Sequence, residues 1–367
     1  MARQRTTVGV IGLGFGRGHI PAFQSAGCEV VAVCQRNGET ARAVAARYGV
    51  AHAYERWEEL LERAKPDVVV IATPPSSHLA IFRAAVDGGA HVLCEKPLAM
   101  NAAEGREMVE LARRAGRVAM TSFNWRFPVA HRAFHQMAAE GHLGRPMHLV
   151  GRWMHGRFAD PSAPSTWRQD LAEAGFGTMG DSGVHMIDMI RWSFGEFRRV
   201  AALSQRAFPE RTVPGGARAA DAEDTCLILA ELASGVQASL AVSRAARGVP
   251  AEHVLEAFGT TGALAYRLVR GVPRWYRGEL RATSGDGPLV PVPLSSVPRS
   301  VGEGDDLEVT GKATIGPLVK ELLHAIRAGQ AGSPSLEDGL RAQMVLDAIG
   351  ASAARGSWVE VDGATGA

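Results

Sequence analysis

The stretch of sequence that decides the fold is Val8-Gly9-Val10-Ile11-Gly12-Leu13-Gly14-Phe15-Gly16-Arg17. Residues 8–11 are apolar and predict a short buried strand, and the residues after the glycines predict a helix towards residue 25. A strand, a glycine-rich turn and a helix in this order are typical of a dinucleotide-binding βαβ unit. Gly12 permits the tight turn, Gly14 lets a pyrophosphate approach the main chain, and the helix start supplies N–H donors.

The loop departs from the usual G-x-G-x-x-G pattern at its third glycine, where Arg17 stands between Gly16 and Gly18. An isolated glycine-rich loop is a weak signal, but its position at the first βα turn restores much of the weight. We therefore expect the phosphates of a cofactor to lie against the main chain from Gly12 to Arg17, including Phe15.

The second predicted strand, residues 29–34, is followed by Gln35-Arg36-Asn37. An acidic residue at this place would bind the ribose 2′-hydroxyl of NAD, but the first acid here is Glu39. A neutral amide followed by an arginine suits a 2′-phosphate, so NADP is slightly favoured over NAD. Alternatively, Arg36 stacks on the adenine of either cofactor.

Strands and helices alternate through the first third of the chain. Apolar runs at residues 68–72, 90–93 and 118–123 predict further buried strands, with helical segments between them. This alternation predicts an α/β fold with a doubly wound parallel sheet of the Rossmann type. We place this dinucleotide-binding domain at residues 1–124.

A lysine follows one of these strands in the sequence Cys94-Glu95-Lys96-Pro97. Ligands of open α/β sheets bind beyond the carboxyl ends of the strands, so Lys96 and Glu95 lie where chemistry is expected. Pro97 keeps Lys96 out of the helical region, and a cis Lys-Pro bond is a minority outcome. The alternative is a surface lysine that ends a strand.

The loop after residues 68–72 begins with Thr73-Pro74-Pro75. Two prolines make this loop stiff, and we expect Thr73 and Pro74 to lie beneath the cofactor. His78 opens the next helix. It is either a cofactor contact or an ordinary residue of the first helical turn.

Residues 125–367 change to consecutive strands with alternating apolar positions. This pattern predicts an α+β domain with a large, mostly antiparallel open sheet. Few helices are predicted to cover that sheet, and an exposed apolar sheet face is normally buried by a partner. We therefore expect a homo-dimer or homo-tetramer.

A second group of chemical residues lies in Thr178-Met179-Gly180-Asp181-Ser182-Gly183-Val184-His185. Thr178 and Asp181 have the spacing of a capping pair, and Asp181 and His185 are spaced to share one helix face. Histidine is suited to accept a hydroxyl proton, and a nearby carboxylate would stabilise its protonated form. Alternatively, Asp181 is only an N-terminal carboxylate, His185 is a core residue and Asp188 is solvated.

Composition argues against several other classes. The 367 residues carry 40 Lys+Arg and 38 Asp+Glu, a net charge of +2 with no basic runs, so neither nucleic acid nor membrane is an expected partner. The cysteines show no metal-ligand spacing, and we expect no metal. They are Cys28, Cys34, Cys94 and Cys226. No signal peptide or spanning segment is recognised, which favours a cytoplasmic protein.

Taken together, these motifs resemble the Gfo/Idh/MocA family, the group of glucose–fructose oxidoreductase and inositol dehydrogenase. The resemblance extends over almost the whole chain. Its carriers are Gly12-Leu13-Gly14-Phe15-Gly16, Ala72-Thr73-Pro74-Pro75, Glu95-Lys96-Pro97, Trp167-Arg168 and Gly180-Asp181-Ser182-Gly183-Val184-His185. The resemblance implies NAD(P)-dependent oxidation or reduction of a sugar, cyclitol or related polyol.

The resemblance also implies roles for individual residues. Lys96, Asp181 and His185 correspond to the catalytic lysine, aspartate and histidine of the family, and they also bind substrate. Further contacts with the nicotinamide, the cofactor or the substrate are implied for Glu95, Asn124, Trp125, Trp167 and Arg168.

Two other functions remain open from the sequence. One is a non-catalytic dinucleotide sensor, against which the retained lysine, aspartate and histidine argue, because a sensor needs no proton relay. The other is a reductase of a C=N or C=C bond.

Overall fold

The computed structural model describes residues 5–213 and 216–363. They fall into two compact units. The first comprises the chain up to Phe127 together with Pro298–Leu340, and the second comprises Pro128–Val297 and the residues from Arg341 onward.

The first unit begins with alternating strands and helices. The strands are β1 (Thr7–Ile11), β2 (Glu29–Cys34), β3 (His52–Tyr54), β4 (Val68–Ile71), β5 (His91–Cys94) and β6 (Ala119–Thr121). The helices are α1 (His19–Ser25), α2 (Gly38–Tyr48), α3 (Trp57–Ala64), α4 (His78–Asp87) and α5 (Ala102–Ala115).

The six strands form one parallel sheet in the order β3-β2-β1-β4-β5-β6. This order confirms the predicted doubly wound Rossmann sheet. Successive strands are added towards one edge of the sheet from β1 to β3 and towards the other edge from β4 to β6. A ligand crevice is expected at this switch point, beyond the carboxyl ends of β1 and β4.

The second unit is built around a large sheet. Its helices are α6 (Val129–Ala139), α7 (Leu171–Ala174) and α8 (Val184–Phe194). Its strands are β7 (Pro146–Met154), β8 (Phe197–Gln205), β9 (Glu210–Val213), β10 (Gly216–Ala219), β11 (Thr225–Leu232), β12 (Gln237–Ser243), β13 (Glu252–Gly259), β14 (Gly262–Val269), β15 (Glu279–Ser284) and β16 (Val290–Pro291).

The last elements are α9 (Asp306–Thr310), α10 (Gly316–Ala328), α11 (Leu336–Arg355) and β17 (Val359–Glu360). The nine-stranded sheet has the order β16-β15-β14-β13-β7-β12-β11-β8-β17. Only the β7–β12 pair is parallel among the described strands of this sheet. The prediction of a large, mostly antiparallel sheet is therefore confirmed.

The division into units differs from the predicted domains, because the first unit extends to Phe127 instead of residue 124 and also includes a later segment. The sequence assigns residues 125–367 to one domain, whereas the structure places Pro298–Leu340 with the Rossmann sheet. The reason is helix α10, whose apolar face is buried in the same core as β1 and α1. Leu318 and Leu322 on this helix, and Ile315 directly before it, are fully buried there.

None of the helices in the described part of the chain is both long and apolar enough to span a membrane.

Candidate functional site

The glycine-rich loop has the shape that a dinucleotide requires. Gly12 has a φ of +92°, and a Cβ atom there would lie 2.4 Å from the carbonyl oxygen of Ala72. Gly14 is exposed, and apart from Gly14 and its two chain neighbours no atom of the described chain lies within 4 Å of the position its Cβ would occupy. The loop therefore has open space on the side where a pyrophosphate would approach.

The structure explains how the loop tolerates Arg17 at the usual third glycine. A Cβ at Gly16 would lie 3.0 Å from Cβ of Ala72, and one at Gly18 would lie 3.2 Å from Cδ1 of Leu307. The glycines on either side of Arg17 thus permit the close packing at the start of α1: Gly16 packs against Ala72 and Gly18 against Leu307. Arg17 is half-buried, and its Nε donates to the carbonyl oxygen of Gly14 at 3.5 Å.

The two residues after β2 have different environments. Oε1 of Gln35 accepts a hydrogen bond from the main-chain N–H of Leu13 at 3.1 Å, so Gln35 is fixed against the glycine-rich loop. Arg36 is exposed and forms no ion pair within the described residues. Its guanidinium therefore remains available for a phosphate or an adenine ring.

The ends of the central strands place the other candidate residues at the same edge. Main-chain N–H groups link this edge across the sheet: Ala72 donates to Ile11, Glu95 to Ile71, and Ser122 to Cys94, at 2.7–2.8 Å. Lys96 follows directly, is half-buried, and is joined to Pro97 by a cis peptide bond. The lysine thus lies at the carboxyl edge of the parallel sheet, as predicted.

Glu95 has a partner that sequence reasoning missed. Nε2 of His19 lies 2.8 Å from Oε1 of Glu95, and both residues are buried. Burial alone would raise the pKa of Glu95, but the hydrogen bond and charge of His19, together with the charge of Lys96, hold that pKa below its ordinary value. A signal was available, because a buried carboxylate beside a lysine requires a further polar partner.

His78 holds the loops of this edge together. It is fully buried, with Nε2 3.0 Å from the carbonyl oxygen of Thr73 and Nδ1 3.1 Å from that of Leu98. Of the two roles the sequence left open for it, this geometry fits the ordinary helix-start residue and leaves the ring no exposed surface for a cofactor.

Two residues after β6 are buried in the first unit. Asn124 donates from Nδ2 to Oγ1 of Thr314 at 2.7 Å. Its amide nitrogen is therefore bonded to a residue of the helical turn that precedes α10. Trp125 is also buried. Their predicted contacts with cofactor or substrate remain predictions.

The helix that carries Asp181 and His185 is not a regular α-helix from its start. Residues Met179–Gly183 form a π-helical turn, and α8 follows directly. Such turns are frequent at functional sites, and they shift the helix face on which each side chain lies. The simple four-residue spacing argument therefore does not describe this helix.

The structure contradicts one prediction for this helix, the Thr178 cap, and one part of the alternative interpretation, a solvated Asp188. Thr178 has helical backbone angles and its side chain forms no cap hydrogen bond, because the N–H of Asp181 already donates to the carbonyl of Gly177 at 3.0 Å. Asp188 is buried and not solvated, since α8 is packed on all sides over Val184–Arg191. Asp181 is half-buried.

Arg168 lies beside Asp181 in the second unit. Its Nε is 3.3 Å from Oδ1 of Asp181, and its guanidinium lies 4.3 Å from the ring centre of Trp167. A buried arginine holds the main chain of this loop. Nη1 of Arg244 donates to the carbonyl of Arg168 at 2.7 Å, and Nε of Arg244 pairs with Asp224 at 2.8 Å. The Trp-Arg pair predicted from sequence is thus rigidly placed near Asp181.

Two further residues near this helix were not recognised from the sequence. The ring of Trp153 stacks on that of His185 with centres 5.5 Å apart, and it would restrict the orientation of the imidazole. Nε2 of His155 lies 3.5 Å from Oγ of Ser182. Neither residue belongs to a local motif, because both come from the end of β7.

Comparison with known proteins identifies the family. Residues 6–123 match the family described as "Oxidoreductase family, NAD-binding Rossmann fold", and residues 131–265 match the "GFO/IDH/MocA C-terminal domain". The chain belongs to the Gfo/Idh/MocA oxidoreductase family. The predicted family and enzyme class are therefore confirmed.

Relatives with assigned activities act on sugars and polyols. Levoglucosan dehydrogenase of Pseudarthrobacter phenanthrenivorans is 30% identical, with 98% of each chain covered. Inositol 2-dehydrogenase of Acidothermus cellulolyticus is 32% identical over 66% of this chain and 68% of its own. A solved structure of levoglucosan dehydrogenase with NADH and levoglucosan has a TM-score of 0.86 and 29% identity, covering 98% of this chain and 100% of the other.

Proposed function

We propose that this protein transfers a hydride between a nicotinamide cofactor and a hydroxyl-bearing carbon of a sugar, cyclitol or related polyol. The observation that carries the proposal is Lys96 at the carboxyl edge of the Rossmann sheet, beside a glycine-rich loop with open space at Gly14. The catalytic set is Lys96, Asp181 and His185.

The residues of the chain fit a bound dinucleotide, which would supply the hydride acceptor. The main chain from Gly12 to Arg17 binds the phosphates, and Thr73, Pro74 and Glu95 line the same edge. Lys96 holds the substrate oxygen and favours its deprotonated form. His185 accepts the hydroxyl proton, and Asp181 stabilises the protonated imidazole.

NADP is proposed to be used at least as well as NAD. Gln35 presents no carboxylate to repel a 2′-phosphate, and exposed Arg36 can bind one. The fold itself is compatible with either cofactor.

A homo-oligomer is proposed from the outer face of the large sheet. Leu227 of β11 is 51% exposed and pairs across the strands with Leu203 of β8, which is 69% exposed. Leu229, on the same face, is 56% exposed. A second copy of this chain is the proposed cover, because closed symmetric pairing buries such a face on both subunits.

A substrate panel tests the proposed function. Sugars, cyclitols, anhydrosugars including levoglucosan, sugar acids and sugar phosphates are incubated with NAD and with NADP, and reduction is followed at the nicotinamide absorbance. We expect turnover with at least one member. Dinucleotide binding without turnover of any member, in either direction, would favour a sensor.

A further inference from the structure

One end of the nine-stranded sheet collects basic side chains. Met154, Ser243, Glu252 and Val269 are aligned across four neighbouring strands. The residue that follows the strand end is basic in β7, β12 and β14: these are His155, Arg244 and Arg270. Arg157 lies two residues beyond His155, and its main-chain N–H donates to Nδ1 of that ring at 3.3 Å.

These basic groups are not equivalent. Arg244 is fully buried, and its guanidinium is occupied by Asp224 and by the carbonyls of Arg168 and Ala222. Arg244 therefore stabilises the main chain at Arg168 and Ala222, and each of its guanidinium nitrogens already donates a hydrogen bond. Arg157 is accessible to solvent, and its guanidinium forms no ion pair within the described residues.

The charge around Arg157 is predominantly positive. Partial burial of Arg157 and the positive charges of Arg168 and Arg270 lower the pKa of Arg157. The negative charge of Asp181 acts in the opposite direction and raises that pKa. Asp181 is already shared with Arg168 at 3.3 Å. One carboxylate thus faces several guanidinium groups, and an additional anion would be stabilised here.

We propose that the substrate carries an anionic group, a carboxylate or a phosphate ester, which Arg157 and Arg168 bind beside Asp181. This inference rests on the dehydrogenase function proposed above. A guanidinium offers two parallel donors that match the oxygens of a carboxylate or phosphate. Arg157 forms no ion pair within the described residues, so its donors are available for such a group beside Arg168. The substrate class is then a sugar acid or a sugar phosphate.

The first test is binding to the dinucleotide-loaded protein. Matched ligands are titrated by calorimetry: glucose with glucuronate and glucose 6-phosphate, and galactose with galacturonate and galactose 6-phosphate. At least one charged ligand should bind tenfold or more tightly than its neutral counterpart, and a carboxylate or phosphate preference identifies the group. Equal or tighter binding by the neutral sugar in every set would overturn the proposal.

The second test uses Arg157→Gln with Arg152→Gln as the matched control. Arg152 is an arginine of the adjoining strand β7 that is paired with Glu252 at 3.2 Å. Arg157→Gln should reduce the charged-over-neutral preference at least tenfold and change the dinucleotide Kd less than twofold, and the control should keep the preference. A weakened dinucleotide Kd with an unchanged preference would assign the arginines to the cofactor phosphates and overturn the proposal.

Turnover separates this inference from the proposed function. Oxidation of neutral sugars without any preference for charged ones would overturn the anionic substrate and leave the dehydrogenase function standing. Selective binding of a charged ligand without turnover of any sugar would support the anion subsite and contradict the dehydrogenase function.

Discussion

Nε2 of His19 lies 2.8 Å from Oε1 of Glu95, inside the first unit. This contact ties the start of helix α1, directly after the glycine-rich loop, to the residue that precedes Lys96. Two motifs far apart in sequence, the proposed cofactor loop and the proposed catalytic lysine, are thereby joined through a buried polar pair. Its loss should affect both stability and the position of the lysine.

Glu95→Gln is expected to lower the free energy of unfolding by about 3 kcal/mol at pH 7, because breaking a buried pair leaves its partner uncompensated. The folded-state pKa of Glu95 is below its ordinary value, so its contribution is present above that ordinary value, about 4.3. The contribution is lost as the pH falls through the lowered pKa. Urea unfolding from pH 7 to acid measures this.

The matched control for that experiment is Glu62→Gln, at an exposed position of α3. It should leave stability nearly unchanged at every pH. Equal stability of Glu95→Gln and wild type at pH 7 would contradict the role given to the pair.

Lys96→Ala is expected to bind dinucleotide nearly normally but to lose ~10²–10³-fold in kcat, the usual effect of removing one positioned charge-stabilising group. Fluorescence titration measures binding, and nicotinamide absorbance measures turnover. Lys320→Ala, on the exposed side of α10, is the control. A Lys96→Ala enzyme within a few-fold of wild type would remove the lysine from the catalytic set.

Gln35→Asp is expected to shift the cofactor preference towards NAD, because a carboxylate there binds the ribose hydroxyls and repels a 2′-phosphate. The measurement is the ratio of kcat/KM for NADP and NAD. Arg36→Ala should lower the NADP value alone. Strong NAD selectivity of the wild type, with no response to Gln35→Asp, would contradict the NADP proposal.

Leu227→Asp is expected to convert the homo-oligomer to a monomer, since it places a charge in the centre of the apolar sheet face. Light scattering at micromolar concentration gives the mass, against 38.9 kDa for one chain. Val272→Asp, at an exposed apolar position outside the sheet, should keep the oligomer. A wild type that is monomeric under these conditions rules the proposal out.

The first unit was the more predictable part of the fold, for a physical reason. Parallel strands buried on both faces read as continuous apolar runs, and each is followed by a turn of distinctive chemistry. Helix α10 has an apolar face that is typical of a core helix, but sequence cannot show which core it joins. Its apolar face would suit either sheet, and only the structure assigns Leu318 and Leu322 to the Rossmann core.

Residues of the candidate site that belong to one local motif could be predicted from the sequence. Residues that come together only through the topology of the sheet could not. Lys96 and the glycine-rich loop follow from strand ends. His155 and Arg157 follow β7 and Arg270 follows β14, and these two strands end in the same row of the sheet. That register is a long-range property. The π-helical turn before α8 also has no clear local signature.

The measurement that tests the central claim most directly is kcat/KM against pH for wild type, His185→Ala and Asp181→Asn. Because a neutral imidazole must accept the proton, the wild-type rate should rise with pH along an acidic limb. Asp181→Asn should lower activity and move this limb to lower pH, and His324→Ala, at an exposed position of α10, should change nothing. His185→Ala should abolish the limb while dinucleotide binding is retained. An unchanged acidic limb in His185→Ala would contradict the account and make Lys96 or His155 the proton acceptor.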